Sequence, residues 1–275
     1  MNSFFLINQF QIMWHYDFMR HAFEAGTIVA IVAGIVGYFV VIRRLSFAAH
    51  ALSHAGFTGA AGAVLIGMSP IIGLLAFTMA GAFLMAALGR KAGSRDVQVG
   101  TVLSFMLGIG VLFISLYKGY ATEAYSLLFG EILGISQNDV AITLVAGLVI
   151  LISLAVLYRP LLFSSLDEDV AEAKGLPVFA IGIIFMLIIA VATSIAVQII
   201  GVLLIFTLMV TPAAIAERLA RTPVQGMAIS VSVALLATWI GLVLAFYIPY
   251  PVSFFITSIV FVLYGLTRLF KTRTI

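Results

Sequence analysis

No cysteine occurs in this chain of 275 residues, so it carries neither disulfides nor thiolate metal ligands. Charge is scarce as well. Asp, Glu, Lys and Arg make up 9% of the residues, against about a quarter in an ordinary soluble domain. With 63% hydrophobic residues and a mean hydropathy of +1.23, the chain cannot cover a water-facing surface. The short alternating segments of a membrane β-barrel are missing, because the apolar runs are long and continuous. A Gly-x-x-x-x-Gly-Lys-Ser/Thr loop is also absent, which excludes P-loop binding of ATP by this chain. Trp14-His-Tyr-Asp-Phe-Met-Arg-His21 is mixed and amphipathic and no small-residue cleavage site follows it, so a signal peptide is not expected. The net charge of +3 suits cytoplasmic loops of a membrane protein and implies no nucleic acid.

What is present is a series of apolar stretches near the roughly 20 residues that cross a bilayer. They fall at 23–43, 50–68, 70–89, 98–117, 139–158, 178–199, 201–217, 224–247 and 252–270. Short junctions near Ser69-Pro70 and Gly201 predict broken or tightly turned helices there. The expected fold is therefore all-α: a polytopic transmembrane helical bundle of eight or nine spans. Residues 1–22 read as an amphipathic, interfacial N-terminal segment, and 23–275 as a single transmembrane domain. Of 14 Lys and Arg, all but Arg20 and Lys118 fall in one set of loops and the C-terminal tail. The positive-inside rule then places that set, and the C-terminus, in the cytoplasm.

Two segments between spans differ from the rest. In 161–177, Ser165 predicts an N-cap and Asp167, Glu168, Asp169 and Glu172 give an acidic start. Lys174, Gly175 and Pro177 close the helix. This is a short amphipathic cytoplasmic helix, either a solvated connector or a docking helix for a cytoplasmic partner. The other, 123–139, is too short and too rich in Gly and acids to span, and predicts a partial helix at the outer mouth.

The chemistry centres on Ser46-Phe-Ala-Ala-His-Ala-Leu-Ser-His-Ala55. His50 and His54 lie four residues apart, hence on one helix face. Ionisable groups in a span are costly and mark pathways, and imidazole is the commonest metal ligand. Two imidazoles are half of a tetrahedral zinc shell, and incomplete ligation suits an ion that must be released. The bland alternative is a pair of interfacial histidines beside Arg43 and Arg44. A metalloprotease reading lacks the Glu of His-Glu-x-x-His. Gln198, beside the expected break at Gly201, and Thr211, before Pro212, are candidates for lining a pathway. His15, Asp17, His21 and Glu24 form a second His/carboxylate group at the outer end, read either as an interfacial polar face or as a site where an ion enters.

Residues 17–23 and 34–56, with Val97-Gln-Val-Gly100, Leu128-Phe-Gly-Glu-Ile-Leu-Gly134, Ala173-Lys-Gly-Leu-Pro177, 197–206, Thr211-Pro-Ala-Ala-Ile-Ala216 and 251–257, resemble the permeases of zinc/manganese/iron ABC importers, in order and over nearly the whole chain. The resemblance implies a homodimeric permease in a bacterial-type inner membrane. It also implies two cytoplasmic ATP-binding subunits, an extracytoplasmic metal-binding protein, no permanently bound cofactor and no enzymatic activity of the chain itself. Segment 164–177 matches the coupling helix of that family, and His54 matches its metal-site histidine. His50 stands where many members carry Asp, which moves preference from manganese toward zinc. A permease for metal chelates or organic cofactors, an intramembrane metallo-hydrolase and an ATP-independent channel are the competing expectations.

Overall fold

The computed structural model describes residues 13–89, 95–116 and 134–269. Among the described residues it is helical throughout, with no strand. The elements are α1 (Asp17–Ile42), α2 (Ser46–Leu65), α3 (Pro70–Leu88), α4 (Arg95–Leu116), α5 (Gln137–Leu166), α6 (Glu168–Ala173), α7 (Val178–Ile200), α8 (Val202–Leu219), α9 (Pro223–Tyr247) and α10 (Val252–Leu269). Arg90, Lys91, Lys118, Lys271, Arg273, residues 1–12 and most of the outer segment at 123–139 lie outside the described residues.

Eight of these helices are long and apolar enough to cross a membrane. α2 is not among the eight, although its 20 residues would reach across. It is made largely of Ala, Gly, Ser, Thr and His, and it packs against α3, α4, α7 and α8. A helix walled in by protein does not have to be soluble in lipid. The expected ambiguity between eight and nine spans is therefore located in the helix that carries the histidine pair.

α1 is the axis of the bundle, contacting α5, α7, α8 and α9. Small residues make this possible. A Cβ on Gly37 would sit 1.9 Å from the Met209 carbonyl oxygen of α8, so only glycine lets those backbones approach so closely. On the other flank Ser230 Oγ of α9 donates to the Gly34 carbonyl at 2.8 Å. α2 and α3 cross in the same manner through Gly59 and Gly73, and Thr78 Oγ1 of α3 meets Ser194 Oγ of α7 at 2.7 Å. With little hydrophobic force between helices in lipid, such close approaches and buried hydrogen bonds hold the bundle.

The breaks fall where turn chemistry puts them. Gly201 joins α7 to α8 at φ 82°, ψ 164°, a conformation that favours glycine. Ser69 precedes Pro70 at the start of α3. Two boundaries differ from expectation. α1 begins at Asp17, so the described part of the N-terminal segment runs directly into the first span. α5 continues through Pro160 to Leu166, and the short helix expected over 164–177 shrinks to Glu168–Ala173. Its N-cap is Asp167, not Ser165. The Asp167 carboxylate accepts from the Val170 N–H at 3.0 Å, whereas Ser165 is still inside α5 and donates to the Leu161 carbonyl at 2.5 Å. Asp167 has the extended backbone of a cap (φ −154°, ψ 107°), which a residue inside a helix does not have.

Candidate metal site and the two polar ends

The first two turns of α2 follow a tight elbow. Arg44 N–H bonds the Val41 carbonyl and Leu45 N–H the Val40 carbonyl at 2.8 Å, with Arg44 at φ 57°. This is a Schellman closure with arginine in the left-handed position where glycine is usual. It leaves three residues between α1 and α2 and sets the direction of the helix that bears His50 and His54.

The two imidazoles face one another as the i, i+4 spacing requires. Their ring centroids are 4.7 Å apart and their planes stand at 87°. Both side chains are half-buried. Phe206, from α8, packs edge-on against His50 at 4.8 Å between centroids. His50 Nδ1 is buried and has no hydrogen-bond partner among the described residues. An unpaired buried nitrogen is costly in a core, and it is the kind of atom a metal ion satisfies. Ring nitrogens must approach a zinc ion to about 2.0–2.1 Å, and two rings at this separation can share one ion. Below the pair, Thr58 Oγ1 donates to the Met106 carbonyl of α4 at 2.9 Å and lies 3.2 Å from the His54 carbonyl, which ties the turn that carries His54 to α4. Among the described residues no group of three or more His, Cys, Asp or Glu is placed to hold a metal. Among the described residues the pair thus offers two candidate ligands.

The remaining sequence candidates occupy opposite ends of the bundle. At one end Gln198 Nε2 donates to Asp139 Oδ1 at 3.0 Å, and Asp139 Oδ2 closes the N-terminal capping box of α5 with Ser136. His21 donates from Nδ1 to the Ile135 carbonyl at 3.1 Å, and Asp17 pairs with Arg20 at 2.6 Å. His15, Asp17, His21 and Glu24 therefore do not gather into a metal-holding group. Thr211 is half-buried on α8 beside Pro212.

At the other end, about 33 Å away along α1, lies the six-residue α6. Asp169, Glu172, Lys174 and Gly175 are exposed there, Ala171 is fully buried, and Gly175 ends the turn at φ 81°. Lys174 Nζ lies 5.8 Å from the centre of the Phe163 ring. Arg43 is the residue that sequence reasoning passed over. Its Nη1 donates to Ser164 Oγ at 2.9 Å and Ser165 Oγ at 3.2 Å, and its Nη2 is 3.8 Å from Glu168. In the sequence Arg43 and Arg44 look equivalent, both counting toward the positive-inside rule. Phe206 and Asp139 carried no signal either, because their partners lie 156 and 59 residues away.

Comparison with known proteins supplies the frame for these features. The chain is 30% identical over 218 residues to the manganese transport system membrane protein MntC of Halalkalibacterium halodurans, covering 78% of this chain and 75% of that protein. It is 30% identical over 251 residues to the manganese import system permease protein ScaB of Streptococcus parasanguinis, covering 90% and 89%. Its fold matches the solved structure of PsaBC from Streptococcus pneumoniae in complex with Fab, with a TM-score of 0.84 at 27% identity over 95% of each chain. Residues 15–271 match the ABC 3 transport family. The chain is a multi-pass membrane permease of that family.

Proposed function

We propose that this permease imports a divalent transition metal, driven by ATP hydrolysis on partner subunits, and that His50 and His54 bind the ion in transit. The observation that carries the reading is the facing imidazole pair, one turn apart in a 20-residue helix outside the eight that are apolar enough to cross a membrane, with one buried nitrogen unpartnered among the described residues. Two ligands leave an ion weakly held, as passage requires. A second copy of the chain, related by two-fold symmetry, would bring a second pair. Zinc is favoured over manganese or iron, because two imidazoles with no carboxylate among the described residues make a nitrogen-rich site. Manganese is the second reading, supported by the manganese permeases among the relatives.

The partners proposed are two cytoplasmic ATP-binding subunits docked at α6 through the region of Asp167, Glu168, Asp169, Glu172, Lys174 and Gly175, and an extracytoplasmic metal-binding protein. The C-terminus is proposed to be cytoplasmic, in line with the basic residues gathered on one side. Gln198 and Thr211 are proposed to line the route. A metallo-hydrolase is disfavoured because no third His, Cys, Asp or Glu joins the pair among the described residues.

The test is transport by the assembled complex in vesicles against zinc, manganese and iron, with the His54→Ala variant alongside. Zinc uptake disappears in the variant while ATP hydrolysis persists. Unchanged uptake by His54→Ala overturns the role of the pair, and faster transport of manganese than of zinc overturns the metal preference.

A further inference from the structure

A buried guanidinium stands at the end of α1. Arg43 has 6% of its side chain exposed, although it caps the end of α1. It sits where four helices converge. Nη1 takes Ser164 and Ser165 of the last turn of α5 and lies 3.5 Å from the Leu161 carbonyl. Nη2 faces the carboxylate of Glu168, the first residue of α6. The guanidinium carbon is 5.9 Å from the centre of the Phe185 ring on α7. A planar fork with several fixed donors is a rigid connector in a way that an ammonium group is not.

Beside this cluster there is space. A cavity of about 520 Å³, lined by Arg43 itself, lies between Glu168, Asp169 and Glu172 on one side and Met85 of α3 with Phe179 and Met186 of α7 on the other. α6 is therefore not packed down along this face. It is held by its junction with α5, by a small contact with α7, by the buried Ala171 and by Arg43. Arg43 in turn opens the hydrogen-bonded elbow, so its backbone cannot move without moving the first turn of α2. His50 lies one turn further on. Arg43, the charged side chain that joins the first residue of α6 to the end of α1, thus also pins the elbow of the helix that carries His50 and His54.

We propose that Arg43 is the positioning residue that carries displacement of α6 into α2, and hence into the His50/His54 pair. This rests on the reading of α6 as the ATPase docking helix and of the pair as the ion site. When the partner subunits draw α6 toward or away from the bundle, the Glu168–Arg43–Ser164 cluster moves as one body over the cavity. The stiff elbow then tilts α2 instead of absorbing the motion.

The experiment uses the complete complex in vesicles and reads three quantities together: ATP hydrolysis, zinc or manganese ions moved per ATP, and the spectrum of a nitroxide at Phe47→Cys. Position 47 is exposed in the first turn of α2, and the chain has no cysteine to interfere. Arg43→Lys keeps the charge and removes the fork; Glu168→Gln removes only the carboxylate charge and guards against a misfolded arginine variant. In Arg43→Lys, hydrolysis stays within twofold, ions per ATP fall at least tenfold, and the label no longer responds to ATP. Glu168→Gln shifts both readouts in the same direction by a smaller factor. Unaltered ions per ATP, or a label that still responds in Arg43→Lys, overturns the proposal. Loss of ATPase association in Arg43→Lys overturns it too, because the residue would then serve docking alone. If the unmodified complex moves neither ion, the import reading falls, and the label response to ATP alone decides the role of Arg43.

Discussion

The crossing of α2 and α3 gives the sharpest test of how this bundle holds its histidine pair. A methyl group on Gly59 would fall 2.0 Å from the Gly73 carbonyl oxygen and 2.6 Å from Phe77 Cβ. The fit is mutual, since a methyl on Gly73 would fall 2.1 Å from the Gly59 carbonyl oxygen. The nearest obstacle on each side is a backbone carbonyl, and Phe77 Cβ is fixed to its own backbone, so no side-chain rotation relieves the clash. Gly59→Ala forces the helices apart by about 1 Å before a tolerable carbon–oxygen contact returns, and dispersion contacts are forfeited along the crossing. Overpacking of this kind costs about 1–3 kcal/mol. For a chain of this size that lowers the melting temperature by on the order of 5 °C. Function suffers beyond stability, because liganding groups need placement within about 0.5 Å. Thermal unfolding in detergent, followed by tryptophan fluorescence, reads the first effect, and zinc uptake per folded complex reads the second. Gly265→Ala is the control: nothing lies within 4 Å of its would-be Cβ, and it holds or raises stability. If Gly59→Ala melts within about 1 °C of the unmodified chain, glycine contact is not what holds α2 in place.

His50→Asp supplies a hard oxygen where an imidazole stands, and we expect the ratio of manganese to zinc uptake to rise about tenfold, equivalent to roughly 1.4 kcal/mol; competition between the two metals in one vesicle preparation measures it. Gln198→Leu removes the donor of the hydrogen bond between α7 and α5 and lowers stability by about 1 kcal/mol, whereas Asp139→Ala removes the acceptor together with the capping box of α5 and costs more. The double variant loses little more than Asp139→Ala alone, and additive losses would show that the two residues act separately.

Much of the architecture was legible from composition and run length, because a bilayer demands about 20 apolar residues per crossing. The break at Gly201 and the start at Pro70 were legible because glycine and proline restrict the backbone locally. The cap of α6 was misplaced by two residues. Ser165 and Asp167 are both good caps, and which one serves depends on where α5 stops, which its packing on α1 and the Arg43 contacts decide. The histidine pair was visible because helical spacing alone brings the rings to one face.

By itself, then, the sequence determined the class of the protein, its helices and the pair of imidazoles that the metal reading rests on. These follow from local periodicity and from the cost of polar groups in lipid. Only the tertiary structure decided that α2 is enclosed by protein, that Phe206 covers His50, that Gln198 is held by Asp139, and that Arg43, and not Arg44, joins α6 to the elbow. Each of these joins residues far apart in the chain. Close packing of small-residue helices sets such neighbours, and no local pattern records which helix comes to lie against which.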